Sequence, residues 1–333
     1  MHRLVILLIL IPLISEACTT FCLKFKDELI FGKNYDWNVD IGLVYINKRD
    51  ISKRSFPDKS GRQVDWRSKY GSVTFNQYGR EFPSGGINET ALAIELMWLD
   101  DTDYPDDKRP AVDCLQWIQF QLDQSANIND IIANDKHLRI GSQGKIHFLV
   151  SDANGNSYAI EFLNGQLVLN PSNALTNDTF QRSDRYAKSG LMNPYSKGSL
   201  DRFATAQKLV KNYDRQELIP YGFQILDQVA QRNTKWSIIY DLKDRKIYFR
   251  SKRFRSIKSL AMSDFDFSPD SPVRYYDINQ ADTGDIADKF QDYQLAVDEA
   301  ILRSAVRQTR FITNTPDSTI HRWATFPQNY TGK

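Results

Sequence analysis

Cys18 stands at a position where a thiol and a free amine could act together on one residue. It follows a short positive start, an apolar stretch over residues 4–14 and the sequence Ser-Glu-Ala at 15–17. This pattern is typical of a secretory signal peptide, residues 1–17, cleaved between Ala17 and Cys18. The new α-amine, with an ordinary pKa of roughly 8, could accept the thiol proton close to neutral pH. Cys18 would then be a nucleophile that needs no histidine.

Two other interpretations of Cys18 remain open at this stage. The residue could merely follow the signal peptide, or it could be the lipidated cysteine of a bacterial lipoprotein. Lipidation usually requires an apolar residue three positions before the cysteine, where this chain has Ser15 followed by the charged Glu16. The eleven apolar residues at 4–14 are too few to cross a bilayer core of roughly 30 Å, so we expect no retained membrane anchor.

Lys33 and Asp36 are the charged residues that a predicted hairpin would bring beside Cys18. Residues 19–26 and 29–35 read as two strands around a Lys-Asp-Glu turn. In that hairpin Asp36 could accept hydrogen bonds from the α-ammonium, and the charge of Lys33 could favour the thiolate. Taken alone, a lysine and an aspartate near a strand end are also typical of a solvated surface.

The elements predicted to position these residues are hairpins and separate helices. Alternation of apolar residues predicts a three-stranded meander and a further hairpin, with strands over 147–151, 157–163, 166–170, 237–240 and 246–250. Helical periodicity predicts helices over 110–122, 200–210, 223–229 and, as the longest, 286–306. Strands that pair with their sequence neighbours indicate the α+β class. Because we find no linker and no repeat, residues 18–333 are predicted to form one domain.

Composition excludes several classes of protein. The chain has 333 residues, 41% hydrophobic and 25% charged, which excludes a disordered, collagen-like or multi-span membrane protein. A net charge of +2 gives no reason to expect a nucleic-acid partner. Phosphate-binding glycine loops, HExxH and paired CxxC motifs do not occur in the sequence, so we expect no cofactor and no metal. Three histidines remain after processing and are interpreted as structural or surface residues: His137, His147 and His321.

Seven groups of sequence segments carry a resemblance to a known family. In chain order they are CTTF with FGKNYDW, VDWRSKYGSV, GGINETALAIELMWL, CLQWIQFQLD, HFLVSDANGNSYAIEFLNGQLVL with ALTNDTF, SLDRFATA, and TKWSIIYDLKDRKIYFRS. Each segment is a weak signal alone, but their order and spacing together are specific. From Cys18 to Ser268 the chain resembles the choloylglycine hydrolase family, which includes bile salt hydrolases and penicillin V acylases and belongs to the amino-terminal nucleophile (Ntn) hydrolases.

The resemblance implies a fold, an activity and roles for particular residues. It implies a four-layer αββα sandwich of two mainly antiparallel sheets between helix layers, often assembled as a homotetramer, that hydrolyses linear amide C–N bonds. Cys18 would be the nucleophile, with Asp36 and Arg202 holding its amine and thiol. The side-chain N–H of Asn177 and the backbone N–H of Trp98 would donate to the oxyanion.

Two departures from the family pattern bear on the substrate and the site. Lys33 stands where the family mostly has arginine, so the positive charge remains and the planar fork is lost. Trp98 stands where bile salt hydrolases carry asparagine and some penicillin acylases carry tyrosine. Together with Trp37, it predicts an aromatic wall for an acyl group. The alternative is that both tryptophans only pack in the core.

These observations lead to one preferred function and two alternatives. The preferred function is that of a secreted or periplasmic, cofactor-free amidase that acts on a small N-acyl amide. Candidate substrates are conjugated bile acids, penicillin V and acyl-homoserine lactones, and Trp98 favours flat or alkyl acyl groups. The alternatives are a non-catalytic lipoprotein or binding protein on the same scaffold, and a binder of nucleic acid or of anionic surfaces that uses the basic run 243–258.

Three further features have simple structural interpretations beside functional ones. A group of aspartates could bind calcium, but a solvated loop is the simpler interpretation: Asp100, Asp101, Asp103, Asp106 and Asp107. Cys22 and Cys114 could form a disulfide or remain buried thiols. Glycosylation sequons begin at Asn88, Asn177 and Asn329. A glycan on Asn177 would remove an oxyanion donor, so that residue is expected to be unmodified.

Overall fold

Two large β-sheets form most of the chain that the computed structural model describes, which is residues 18–190 and 198–332. The predicted signal peptide, residues 1–17, lies outside the described residues. Within the described ranges there are twenty strands and seven α-helices. The α-helices are α1 Cys114–Gln124, α2 Ile128–Asp135, α3 Phe180–Ser189, α4 Ser199–Lys211, α5 Leu218–Gln228, α6 Leu295–Gln308 and α7 Asp317–Thr325. In none of them is the apolar stretch long enough for a bilayer crossing.

The strands differ widely in length, and the longest of them belong to the predicted hairpins. In chain order they are β1 Thr19–Phe25, β2 Glu28–Asp36, β3 Leu43–Asn47, β4 Ser52–Arg54, β5 Asp65–Arg67, β6 Ser72–Asn76, β7 Pro83–Asn88, β8 Ala93–Trp98, β9 Ala111–Val112, β10 Arg139–Ile140, β11 Ile146–Ser151, β12 Ser157–Leu163, β13 Gln166–Pro171, β14 Ala174–Leu175, β15 Thr234–Asp241, β16 Lys246–Ser251, β17 Lys258–Ala261, β18 Arg274–Asp277, β19 Gly284–Asp285 and β20 Gln291–Asp292. The predicted first hairpin (β1–β2), meander (β11–β13) and late hairpin (β15–β16) are therefore confirmed.

The two sheets are mainly antiparallel. Among the described residues, one sheet has seven strands in the order β14-β1-β2-β15-β16-β17-β19, and the other has nine in the order β13-β12-β11-β8-β7-β6-β3-β18-β20. Their inner faces pack on each other, because Phe75 of β6 lies 5.4 Å from Phe249 of β16 between ring centroids. Strand β2 is paired on both sides and is almost fully buried. It is therefore a rigid support for whatever its side chains position.

Helices cover the outer faces of both sheets. Phe203 of α4 packs in one apolar cluster with Phe21 of β1. Trp117 of α1 stacks on Phe148 of β11, with ring centroids 4.4 Å apart. Fully burying such a ring stabilises the fold by roughly 2–3 kcal/mol. The order helix, sheet, sheet, helix is the predicted αββα sandwich of the α+β class, which is confirmed.

Close packing at Gly32 fixes how β1 lies against β2. A Cβ atom at Gly32 would come within 2.2 Å of Cε1 of Phe21, closer than real atoms approach. The absence of a side chain at Gly32 lets the Phe21 ring lie over β2. The glycine of the FGKNYDW segment is therefore explained by a close approach across the hairpin.

Two of the predicted helices begin later than expected. The helix predicted over 110–122 begins at Cys114, because residues 111–112 form β9 and Asp113 caps the helix by accepting from the N–H of Leu115. The helix predicted over 286–306 is α6 and begins only at Leu295. The chain before it is drawn into contacts distant in sequence, with β20 pairing to β18 and Phe290 packing on Tyr276. Tertiary contacts override the apolar periodicity in both cases.

Candidate active site

Strand alternation places the thiol of Cys18 between the two sheets. The side chain of Thr20 contacts Met97 of β8, and that of Cys22 lies 3.4 Å from the hydroxyl of Ser151 on β11, so this face of β1 points inward. Cys18 itself is 4% exposed, and its Sγ lies 3.9 Å from the backbone oxygen of Asp36. The predicted hairpin thus brings the two residues together.

All three cysteines are buried free thiols. Cys22 and Cys114 are therefore not joined, which decides between the two interpretations left open by the sequence. Burial raises the pKa of the Cys18 thiol. The charge of Lys33 lowers it, Asp36 raises it and Arg202 lowers it. Because burial is the largest effect, the thiol needs a nearby base to become a nucleophile.

Asp36 carries one satisfied and one unsatisfied carboxylate oxygen. Its Oδ1 accepts a hydrogen bond from the hydroxyl of Thr234 at 2.5 Å. Its Oδ2 is buried and has no hydrogen-bond partner among the described residues. Burial raises the pKa of Asp36 to about 7, while the charge of Arg202 acts in the opposite direction. A cation with N–H donors beside Cys18 would satisfy Oδ2 and keep the carboxylate ionised.

Arg202 of α4 connects the start of β1 to Asn177. Its Nη1 donates to the backbone oxygen of Cys18 at 2.6 Å and to the hydroxyl of Thr19 at 2.5 Å. Its Nη2 donates to Oδ1 of Asn177 at 3.2 Å. The side chain is nearly inaccessible, and burial lowers its pKa while Asp36 and Cys18 act in the opposite direction. The planar guanidinium can make these bonds simultaneously.

The side-chain amide of Asn177 has a defined orientation. Its Oδ1 faces Arg202, and its Nδ2 donates to the backbone oxygen of Trp98 at 2.9 Å. Its backbone N–H donates to the hydroxyl of Ser199 at 2.8 Å. Because an amide nitrogen carries two protons, the second N–H of Nδ2 can serve another acceptor.

The backbone N–H of Trp98 points to the same side of β8 as the carbonyl that Asn177 binds. Leu99 donates to the oxygen of Lys145 at 2.9 Å, so these two residues form a hydrogen-bonded pair between β8 and β11. Pairs alternate in an antiparallel ladder, so the preceding pair, Trp98 with Ile146, is not hydrogen-bonded. The N–H of Trp98 therefore points away from β11, towards the side where Asn177 lies. Two N–H donors can thus serve one anionic oxygen.

Lys33 is fully buried and reaches across to the other sheet. Its Nζ hydrogen-bonds to the backbone oxygen of Leu96 and lies 3.7 Å from Oε2 of Glu95. The hydroxyl of Tyr240 donates to Oε1 of Glu95 at 2.6 Å. Burial raises the pKa of Glu95 to about 7, and the charge of Lys33 opposes this shift. Lys33 thus acts on Cys18 through its charge while its bonds are made to β8.

Glu95 and Tyr240 were missed by sequence reasoning. The available signal was an ionisable residue inside the apolar strand sequence AIELMW. A buried carboxylate usually has a paired cation, but the sequence does not say which lysine or arginine supplies it. The pairing arises because β2 and β8 face each other across the two sheets.

Three aromatic rings lie beside this constellation. Trp37 and Trp98 are both partly buried against the core, and their indole N–H groups donate to the Tyr78 hydroxyl at 2.8 Å and to Asp100 at 2.7 Å. The ring centroid of Phe311 lies 6.3 Å from that of Trp37 and 6.1 Å from that of Trp98. Both tryptophans therefore pack against the core while part of each side chain stays exposed. Phe311 lies beyond the segments that carry the family resemblance and was not predicted.

His147 supports the loop that precedes Asn177. Its side chain is buried, with Nε2 2.6 Å from the backbone oxygen of Thr176 and Nδ1 3.4 Å from Oε1 of Glu161. The same Glu161 oxygen accepts from the backbone N–H of Phe180 at 2.9 Å. This histidine is structural, as the sequence indicated, and it holds the backbone from which Asn177 projects.

Several residues of the remaining charged segments are paired within the protein. In the aspartate loop, Asp101 pairs with Arg182, Asp106 with Arg139 and Asp107 with Arg109. No group of acidic, histidine or cysteine side chains in the described ranges has a metal-binding arrangement. In the basic run, Arg250 and Arg255 pair with Asp227, Arg253 pairs with Asp40, and Lys258 is buried. Among the sequons, Asn88 is buried, Asn177 is partly buried and Asn329 is exposed.

Comparisons with known proteins agree with this geometry. A penicillin V acylase from Pectobacterium atrosepticum is 24% identical over 317 residues, covering 77% of this chain and 84% of that protein. The predicted relationship to the choloylglycine hydrolase family is confirmed. The name of this relative agrees with the predicted hydrolysis of an amide C–N bond. No family model matches the chain.

Solved structures show that the fold is shared with this family. A penicillin V acylase from Agrobacterium tumefaciens superposes with a TM-score of 0.73 at 24% identity, covering 83% of this chain and 98% of that one. A variant of the conjugated bile acid hydrolase from Clostridium perfringens has a TM-score of 0.67 at 15% identity, covering 80% of this chain and 98% of that one. These likenesses establish the Ntn-hydrolase fold.

Proposed function

We propose that this protein is a secreted or periplasmic amidase in which Cys18, exposed as the first residue by cleavage after Ala17, attacks N-acyl amides. The observation that carries the proposal is Asp36, whose Oδ2 is buried without a hydrogen-bond partner among the described residues and whose backbone oxygen lies 3.9 Å from Sγ of Cys18. Cleavage would convert the nitrogen of Cys18 into an amine. That group, when protonated, is a cation with N–H donors of the kind that Oδ2 lacks.

In the proposed first step the α-amine of Cys18 takes the thiol proton, and the sulfur attacks the substrate carbonyl. A C–S bond forms, and the carbonyl π electrons move to the oxygen. Asn177 Nδ2 and the backbone N–H of Trp98 donate to that oxyanion. A donor of this kind contributes about 3–4 kcal/mol to the stability of the transition state.

In the second step the oxyanion collapses and the C–N bond breaks. The α-ammonium returns its proton to the departing nitrogen, so that a neutral amine leaves and a thioester remains on Cys18. Water then attacks the thioester carbonyl and gives a proton to the amine. Collapse of this second intermediate releases the carboxylic acid and restores the thiol.

We assign Trp37 and Trp98 to the acyl side of the substrate. Trp37 follows Asp36 directly, and Trp98 supplies a proposed oxyanion donor, so both rings flank the reacting carbonyl. Their partly exposed indole faces suit flat or alkyl acyl groups. Penicillin V, named as the substrate of two of the similar proteins, and acyl-homoserine lactones fit this description better than conjugated bile acids, the substrate named for the third.

The test is a hydrolysis panel on the mature protein. The substrates are penicillin V, acyl-homoserine lactones and the glycine and taurine conjugates of bile acids, and the variants are Cys18→Ala and, as a matched control, Cys22→Ala. We expect a free Cys18 at the amino terminus by mass spectrometry and sequencing. We also expect activity in wild type and Cys22→Ala, and none in Cys18→Ala. Activity in Cys18→Ala would contradict the mechanism, and a diacylglycerol on Cys18 would indicate the lipoprotein alternative.

A further inference from the structure

Phe311 combines high exposure with a specific aromatic environment. It is 62% exposed, although burying a phenylalanine ring would stabilise the protein by roughly 2–3 kcal/mol. Its ring nevertheless lies close to two indoles, edge-on to Trp37 with an interplanar angle of 75° and tilted to Trp98 at 41°. An apolar ring that is exposed beside a reaction site presents a surface that a ligand could cover.

The loop that carries Phe311 is fixed by packing on both sides. Helices α6 and α7 form a small cluster of buried side chains, to which Ile312 and Tyr78 add their own apolar surface. Helix α6 is tied to the body of the protein through Asp298, which accepts from the hydroxyl groups of Tyr45 at 2.8 Å and Tyr293 at 3.0 Å. Phe311 is therefore held on a supported loop between two packed helices.

A chain of hydrogen bonds links this loop directly to Trp37. The indole N–H of Trp37 donates to the hydroxyl of Tyr78 at 2.8 Å, and that hydroxyl lies 2.7 Å from the hydroxyl of Thr309. Thr309 in turn donates to the backbone oxygen of Ala305 at 2.8 Å. When Thr309 donates to Ala305, the Tyr78 hydroxyl is the donor to Thr309. The relative positions of Trp37 and the Phe311 loop are thereby coupled.

We propose that Phe311 is the third ring of the acyl-binding surface and sets the preference for extended or flat apolar acyl groups. This inference rests on the proposed function and deepens it, because it names the part of the substrate that the α6–α7 loop would recognise. Rings in edge and tilted arrangements leave apolar faces to contact an acyl chain. On this proposal only the longer acyl chains contact the third ring.

The test uses acyl-homoserine lactones with acyl chains of four, eight and twelve carbons, so that the leaving group stays constant. The variants are Phe311→Ala, Phe311→Leu and, as a control, Phe254→Ala, which removes another exposed phenylalanine ring, 37% exposed. We expect Phe311→Ala to raise KM for the two longer chains by roughly three- to tenfold, with kcat unchanged and the shortest chain unaffected. Phe311→Leu should recover most of the loss, and Phe254→Ala should behave as wild type.

A binding measurement separates this inference from the proposed chemistry. Tryptophan fluorescence gives the Kd of the same three compounds for Cys18→Ala and for Cys18→Ala/Phe311→Ala. Weaker binding of the long chains alone in the double variant supports the role of Phe311, even if wild type were to hydrolyse none of the compounds. An equal change at every chain length, or no change, overturns it.

Discussion

Two buried cations flank Cys18, and the chain holds them in different ways. Arg202 makes its hydrogen bonds within the site, to the backbone of Cys18, to Thr19 and to the amide of Asn177. Lys33 makes its bonds away from the site, to Leu96 and Glu95 on the opposite sheet. A guanidinium is a planar fork that fixes several acceptors at once, whereas an ammonium is a compact point charge.

This difference indicates which property of the cation, its shape or its charge, is used at positions 202 and 33. Arg202 fixes the geometry of Cys18, the proposed nucleophile, and of Asn177, a proposed oxyanion donor, together. Lys33 supplies a positive charge that lowers the pKa of the Cys18 thiol against the effect of burial. The proposed mechanism therefore requires a positive charge at position 33, which lysine supplies, and does not require the planar guanidinium of the arginine that the family resemblance implies there.

The largest effect is expected when Lys33 is neutralised. Lys33→Met would leave Glu95 buried without its cation and raise its pKa further, so we expect the free energy of unfolding, measured at about pH 9 where wild-type Glu95 is ionised, to fall by about 3–5 kcal/mol. Lys33→Met/Glu95→Gln should recover most of that stability in urea titrations, yet remain slow in hydrolysis. If the double variant were as unstable as the single one, the ion pair would not explain the loss.

A smaller but more specific effect is expected at Arg202. Arg202→Lys keeps the charge and removes the fork, so we expect kcat to fall by about 100-fold with little change in Tm. Arg250→Lys, an arginine paired with Asp227 outside the site, is the matched control and should keep its kcat. Wild-type turnover in Arg202→Lys would remove the distinction between the two cations.

The pH dependence of the free energy of unfolding should report the titration of Glu95, the buried partner of Lys33. Its pKa is raised by burial from an ordinary 4.5 to about 7. Between these values the unfolded chain releases the proton while the folded chain keeps it, so stability falls as pH rises and levels off above the folded pKa. We expect a fall of order 1–3 kcal/mol from pH 4.5 to 7.

Glu95→Gln provides the control for this pH profile. The variant cannot titrate at residue 95, so its stability should fall less than that of wild type across the same interval. Urea unfolding at several pH values measures both slopes. Parallel curves for the two proteins would show that other groups account for the dependence.

The smallest effect is expected at Tyr240. Tyr240→Phe removes one hydrogen bond to Glu95, and we expect a loss of about 1–2 kcal/mol in unfolding free energy. Turnover should change less than twofold, because Lys33 keeps its carbonyl acceptor. Tyr248→Phe, a half-buried tyrosine on the neighbouring strand, should lie close to wild type.

Local patterns predicted the parts of the site that depend on short-range structure. The hairpin that places Cys18 beside Asp36 follows from a turn and two β-rich runs, and the family-like segments pointed to Arg202 and Asn177. The late start of α1 could not be seen in the same way. The apolar stripe over 110–122 continued across Asp113, and only the pairing of β9 with β10 shows that this residue caps the helix.

Contacts between distant segments account for what the sequence did not predict. Glu95 lies 62 positions from Lys33, and the two meet only because two sheets pack face to face. Phe311 reaches Trp37 and Trp98 from the loop between α6 and α7, more than 200 positions along the chain from either tryptophan. Neither contact produces a periodic pattern in the amino-acid sequence. Each depends on which surfaces of the folded chain meet and not on the local spacing of residues.

The contact at Gly32 has a consequence for mutation far from any reacting atom. The ring of Phe21 occupies the space where a side chain at Gly32 would lie. Even an alanine methyl there would push β1 outwards, and three residues along that strand the displacement would reach Cys18. The position of the sulfur is thus controlled mechanically by a residue that has no side chain and takes no part in the reaction.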